Sequence, residues 1–378
     1  MPDLDMQHRA PGPAKPADVS RAATRAEAAR LRAAFEAAGA QVVETAILQP
    51  AATLLDLYGE DIRARAYVTS DPLKGEQMLR PDFTVPVVQM HMAGGAEPAR
   101  YTYSGEVFRR QEADTGRASE YVQVGYEVFE RGTPAQSDAE VFARLHDMLA
   151  PLKLRAMTGD IGVLMAAVDG LGTTSARKAA LRRHIWRPRR FRALLDRFAG
   201  RTPVPTSRAA LLQAVDPMAG AGPMIGLRSA TEITARIDAL RADAAAPPVA
   251  EGEVELIDAI LAVRETCPNA LERLRDIAVD MPSINGAVAQ LAARLEALAA
   301  RGIDVDHLPF EASYGRSQME YYDGFVFGFT SEAHPELPAV ATGGRYDALT
   351  RQLGQGREIP AVGGVIRPGL VVWLGDLS

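Results

Sequence analysis

Two segments, "ARYTYSGEVFRR" and "SEYVQVGYEVFE", are rich in β-branched and aromatic residues and are joined by the polar loop "QEADTGRA". That pattern predicts a long antiparallel hairpin, and a chain that contains one must build a sheet around it. Side chains on a strand alternate between faces. In the second segment Val122, Val124, Tyr126 and Val128 make an ordinary apolar face, whereas Tyr121, Gln123, Gly125 and Glu127 make a polar one. On the first segment Tyr103, Gly105, Val107, Arg109 and Gln111 share a face. The plain reading of such polarity is a solvated sheet face. A glutamine and a carboxylate on either side of a glycine also outline a notch bounded by hydrogen-bonding groups.

Other segments carry similar chemistry. "LRPDFTVP" sets Asp82 and Thr84 at a strand-to-helix turn, where Thr84 is also placed to cap the helix. "EYYDGFVFGF" offers Tyr321 and Tyr322 ahead of Gly324 and Gly328. Carboxylates, an amide, a hydroxyl and phenols suit a small cationic or zwitterionic ligand and not a polyanion. "TGGRYDAL" opens a helix with glycines but has no phosphate-binding lysine, a weak signal by itself. The chain closes on "IPAVGGVIRPGLVVWLGDLS", a strand with paired glycines, Gly363 and Gly364, running into a short apolar helix. Such glycines mark close backbone approach.

The rest of the chain divides by pattern. Residues 1–17 are polar and proline-rich, read as a disordered tail without a secretory signal. Asp18 or Ser20 is placed to cap a helix that Gly39 closes. Strand signals dominate residues 18–155. They vanish over 156–305, where short Ala/Leu/Arg helices are broken by "RTPVP", "AGAGP" and "AAAPPVAEG", and resume over 306–378. The expected fold is α+β: an antiparallel sheet flanked by helices and interrupted by an all-helical insertion.

Composition narrows the function. A net charge of −6 argues against nucleic acid as the main partner. The single cysteine, Cys267, forbids an internal disulfide and fits a reducing, cytoplasmic location. No apolar run reaches the ~20 residues of a membrane span. The six histidines are scattered without ligand spacing, so neither a metal nor a cofactor is expected. The basic run from Arg177 to Arg201 holds ten Lys and Arg against one Asp. It reads as a solvated helix face, as a surface for RNA phosphates, or as a dock for an acidic subunit.

In order along the chain, these segments resemble histidyl-tRNA synthetase, a class II synthetase. "LRPDFT" is similar to LRPEGT, "FRRQEADTGRASEYVQVGYEVF" to the motif 2 hairpin, and "EYYDGFVF" to the histidine-specific RGLDYYxxxVFE. "TGGRYDAL" resembles AGGRYDGL, and "PAVGGVIRPGLVVWL" resembles motif 3. The resemblance implies a histidine pocket lined by Asp82 (Glu in the family), Thr84, Arg109, Gln123, Glu127, Tyr321 and Tyr322. It implies no catalytic residues. Leu370 stands at the motif 3 arginine, Ser317 at the histidine-specific arginine with Arg316 one residue away, and Gln111 at the acid of motif 2. The chain is also expected to lack the anticodon-binding domain that follows motif 3 in the synthetase. A chain that keeps the residues for histidine without those for ATP resembles the regulatory subunits of ATP phosphoribosyltransferase. The implied role is non-catalytic: a homodimer within a hetero-oligomer with a short catalytic subunit, active in the first step of histidine biosynthesis and binding histidine for feedback. An active histidyl-tRNA synthetase and a free-standing histidine sensor are the alternatives.

Overall fold

The computed structural model describes residues 19–58, 62–111, 118–223, 225–316 and 321–377. The expected tail over 1–17 and the tip of the hairpin loop lie outside them. The chain forms two compact units. The first comprises residues 1–158, 293–308 and 321–378, the second residues 159–292 and 309–320.

The first unit opens with α1 (Arg21–Ala37), capped by Ser20, whose hydroxyl accepts from the Ala23 amide at 3.1 Å. Gly39 then reverses the chain at φ 93°. Next come β1 (Gln41–Val42), β2 (Leu48–Pro50), α2 (Ala51–Tyr58), α3 (Ile62–Arg65), β3 (Val68–Asp71) and β4 (Gly75–Leu79). Within the strand-rich stretch, residues 64–70 are divided between the end of α3 and β3. α4 (Thr84–Met92), β5 (Ala99–Phe108), β6 (Glu120–Phe129), α5 (Pro134–Leu149) and β7 (Arg155–Asp160) complete the first pass.

The second unit holds α6 (Ile161–Gly170), α7 (Ser175–Arg183), α8 (Pro188–Phe198), α9 (Thr206–Gln213), α10 (Ala230–Ala245) and α11 (Glu251–Leu261). β8 (Arg264–Thr266), α12 (Cys267–Asp280) and α13 (Asn285–Ala299) follow, the last turns of α13 belonging to the first unit. Two strands enter the span expected to be all helical, 156–305: β7 covers its first five residues, and β8 pairs antiparallel with β9 (Pro309–Glu311) inside the second unit. The first unit resumes with β10 (Phe325–Thr330), β11 (Ala341–Arg345), α14 (Asp347–Leu353), β12 (Ala361–Ile366) and α15 (Pro368–Gly375).

Its main sheet runs β1-β5-β6-β12-β11-β10-β7, with β2-β4-β3 as a separate small sheet. The β5–β6 hairpin is antiparallel, as its pattern predicts, and β6 pairs on its other edge with β12. Only β1, beside β5, is a parallel neighbour among the pairs described. Both faces of this sheet are covered. α1, α5 and α15 pack on one side of the central strands, burying Phe35, Phe142 and Leu374. A solvated polar face is therefore ruled out: Gln123 and Glu127 are each 1% exposed. A buried polar face must find hydrogen-bond partners within the protein or its ligands. No described helix is long and apolar enough to cross a membrane.

Candidate functional site

The register places Glu127, near the C-terminal end of β6, opposite Gly363 of β12 and Tyr101 of β5. Its Oε1 accepts hydrogen bonds from the Tyr103 hydroxyl at 2.8 Å and the Thr84 hydroxyl at 3.0 Å. Its Oε2 accepts one from the Tyr346 hydroxyl. Burial pushes the Glu127 carboxyl up to about 7, against the pull of the Tyr346, Tyr103 and Thr84 donors; the neighbouring Asp82 adds to the rise. Burial and the Glu127 charge in turn hold the phenols of Tyr103 and Tyr346 well above their ordinary range. These three donors to the carboxylate are neutral hydroxyls, so the site can accept a cation with several N–H donors.

The glycines make that arrangement fit. A Cβ on Gly363 would lie 1.4 Å from Glu127 Oε2, and one on Gly125 would lie 2.1 Å from the Tyr103 ring. On Gly344 it would meet the Tyr322 ring at 2.7 Å. The close approach expected at the terminal glycines is thus to the carboxylate itself at Gly363. Gly364 faces the core instead, against Leu145 and Phe327.

Asp82 and Thr84 exchange the simple roles their sequence suggests. The cap position of α4 is Phe83, with no side-chain cap bond. Asp82 Oδ1 accepts from the Val85 amide at 3.3 Å, which frees the Thr84 hydroxyl for Glu127. Tyr321 and Tyr322 meet edge to face at 4.9 Å, and Tyr321 lies 6.0 Å from the Tyr346 ring. Burial, and then the Glu127 charge, raise the Tyr322 phenol, which the Arg109 charge opposes. Asp323 accepts from the backbone amides of Asp347 at 3.0 Å and Ala348 at 2.5 Å, tying the tyrosine pair to the corner that carries Tyr346. Burial pushes the Asp323 carboxyl up to about 7.

Arg109, at the end of β5, donates from Nε to the Pro81 carbonyl at 2.9 Å, which pins it beside the turn bearing Asp82. Gln123 lies on the Glu127 face of β6, and its buried Oε1 has no hydrogen-bond partner among the described residues. A buried amide oxygen without a donor costs about 1–3 kcal/mol, so this oxygen retains the capacity to accept an N–H. Six of the seven candidates are thus linked through contacts or charges, and Gln123 joins them by its face of β6. Tyr103 and Tyr346 are further members. Tyr103 is on the polar face of its strand, but Tyr346 sits in "TGGRYDAL", whose only local signal is its glycines.

The positions without a synthetase-like cation are equally definite. Leu370 is buried on α15, and Ser317 lies outside the described residues. Arg316 is held inside the second unit, where its Nε donates to the Ile185 carbonyl at 2.9 Å and its guanidinium lies 5.0 Å from the Phe191 ring. Burial pulls it down to about 10. In the basic run, Arg177, Arg182, Arg192, Arg197 and Arg201 all pair with carboxylates of the same unit. Much of its charge is neutralised at home, which favours the solvated-face reading over phosphate contacts.

Comparison with known proteins shows the family and the fold. The family described as Histidyl-tRNA synthetase matches residues 15–246 and 228–368. An ATP phosphoribosyltransferase regulatory subunit of Brucella canis is 33% identical over 372 residues, covering 92% of this chain and 95% of the relative. One from Brucella melitensis biotype 1 is likewise 33% identical, with 92% and 94% covered. Among solved structures, an ATP phosphoribosyltransferase regulatory subunit/histidyl-tRNA synthetase from Bacillus halodurans superposes with a TM-score of 0.64 at 19% identity, covering 98% of this chain and 84% of that one. The histidyl-tRNA synthetase of Nostoc gives 0.61 at 16%, covering 99% and 76%. At these identities the structures establish the fold alone. Through its full-length relatives, the chain belongs to the family of ATP phosphoribosyltransferase regulatory subunits, built on the fold of histidyl-tRNA synthetase.

Proposed function

We propose that this chain is a non-catalytic subunit that a short ATP phosphoribosyltransferase subunit requires for activity, and that it binds histidine for feedback on the first step of histidine biosynthesis. It acts as a homodimer within a hetero-oligomer in a cytoplasmic setting. The names of its relatives supply the partner. The observation that carries the ligand is Glu127: a buried carboxylate, served by three hydroxyls, beside the unsatisfied Gln123 oxygen. A cationic nitrogen of histidine completes that constellation.

Joining an amino acid to a nucleotide passes through a negatively charged transition state that fixed cations stabilise. Each such donor is worth about 2.7–4 kcal/mol. With Leu370 and Ser317 at the two arginine positions, and Arg316 engaged in the second unit, adenylate formation has no cationic support from them. Histidine then acts by differential affinity for active and inactive assemblies, a coupling of about 1–3 kcal/mol.

Reconstitution tests this. The purified chain, mixed with the short catalytic subunit from the same source, should switch on phosphoribosyl transfer, and histidine should suppress it. A catalytic subunit indifferent to the chain would refute the regulatory role. Robust histidine-driven pyrophosphate exchange by the chain alone would restore the synthetase reading.

A further inference from the structure

The stretch "LRPDFT" departs from the related LRPEGT at a second place: Phe83 stands where the synthetase has glycine. Phe83 has φ −100° and ψ −20°, a conformation open to any residue, so packing and not backbone demand accounts for its ring. The ring is 2% exposed. It lies 3.8 Å from the Arg80 guanidinium carbon and stacks on Tyr103 at 4.3 Å with an interplanar angle of 12°. Arg80 is itself fixed, donating from Nε to the Glu106 carbonyl at 2.9 Å and from Nη1 to the Thr45 carbonyl at 2.7 Å. Gly105 leaves the room this requires, since a Cβ there would lie 2.7 Å from Arg80 Nη2 and 3.0 Å from Phe83. Tyr103 is limited in turn by the β6 backbone at Gly125. Cation, phenyl ring, phenol and carboxylate follow one another to Glu127.

We propose that Phe83, held by Arg80, is a positioning residue of the site: it fixes the tilt of Tyr103 so that the hydroxyl donates to Glu127, and thereby sets how strongly that carboxylate takes a cationic ligand. Phe83 acts through Tyr103 and needs no ligand contact of its own. Hydrogen bonds to a charged acceptor weaken steeply with misalignment, and an offset aromatic stack has an orientation that an aliphatic contact lacks. The other groups facing Glu127 are unchanged by this choice: Thr84 from α4, Tyr346 between β11 and α14, and the nearby Asp82 and Tyr322. The ligand part of the inference rests on histidine binding at Glu127; the positioning part does not.

The test uses the full chain carrying Phe83→Leu, Tyr103→Phe, or both. The infrared carboxyl stretch of Glu127, identified by its loss in Glu127→Gln, is followed against pH without ligand. Phe83→Leu should raise the midpoint by about 0.5–1 pH unit. Tyr103→Phe should raise it further, and the double variant should match Tyr103→Phe alone. With the catalytic subunit present, calorimetry should show histidine bound about 2- to 10-fold more weakly by Phe83→Leu, again with no added effect once Tyr103 is Phe. An unmoved midpoint in folded Phe83→Leu, or an equal shift with and without the Tyr103 hydroxyl, overturns the proposal. If Phe83→Leu fails to fold, Phe83→Met replaces it. A wild type that binds no histidine defeats the ligand reading, while the infrared midpoints still decide the role of Phe83.

Discussion

Asp138 and Glu127 lie in the same unit, each 1% exposed, and their surroundings could hardly differ more. Asp138, on α5, accepts from Arg345 Nη2 at 2.7 Å and from Arg294 Nε at 2.9 Å. Arg345 also donates to Asp347 and to the Pro134 carbonyl, each at 3.0 Å, and its methylenes lie 3.1–3.3 Å from where a Cβ on Gly324 would sit. That carboxylate is a cross-link between α5, β11 and the end of α13. Glu127 has hydroxyls in place of guanidiniums. Burial alone therefore does not mark a functional acid; the charge of its partners does. A carboxylate answered by two cations is complete, whereas one answered by hydroxyls retains affinity for a cation from outside.

Substitution should separate the two most sharply. Asp138→Ala leaves two buried guanidiniums without their acid and should cost about 3–5 kcal/mol in urea denaturation. Glu127→Gln keeps the shape and an acceptor for the hydroxyls and should cost under about 1 kcal/mol at neutral pH. Equal losses would abolish the distinction.

The pH dependence comes next. Glu127 rises from its ordinary 4.5 to about 7 on folding. Its contribution to stability is therefore full below about pH 4.5 and is lost as pH rises through 7, on the order of 3 kcal/mol in all. Subtracting the stability curve of Glu127→Gln from that of the wild type isolates this slope; a flat difference between pH 5 and 8 would show that the carboxyl is not held up by burial.

The glycines give a smaller effect of the same kind. Gly363→Ala forces a Cβ onto the Glu127 carboxylate and should cost about 1–3 kcal/mol, together with weaker histidine binding. Gly252→Ala, in α11 with open space around it, should be neutral or stabilising by up to ~1 kcal/mol. Smallest of all, Arg192→Ala removes exposed pairs to Asp196 and Asp258 and should change stability by about 0.2–1 kcal/mol. Ion pairs at the surface of the second unit should thus weigh far less than the Asp138 pair.

Much of this is legible in the residues. Period-two alternation reveals the hairpin and puts Gln123, Gly125 and Glu127 on one face, because side-chain direction on a strand is a local property. It does not reveal that the face is buried, since burial depends on what distant segments cover. Thr84 looks like a cap because local patterns cannot show a carboxylate 43 positions away. Tyr346 escapes notice for the same reason: its partner is 219 positions distant, and only the β6–β12–β11 pairing brings them together. Sheet pairing, a long-range property, also sets the ends of the short strands at 41–42 and 309–311.

The most direct test is calorimetric titration of histidine into the chain assembled with its catalytic subunit, wild type against Glu127→Ala. A charged hydrogen bond is worth roughly 1.5–3 kcal/mol, so the folded variant should bind about 10- to 150-fold more weakly. Equal affinity in the two proteins would contradict a role for Glu127 in receiving the ligand.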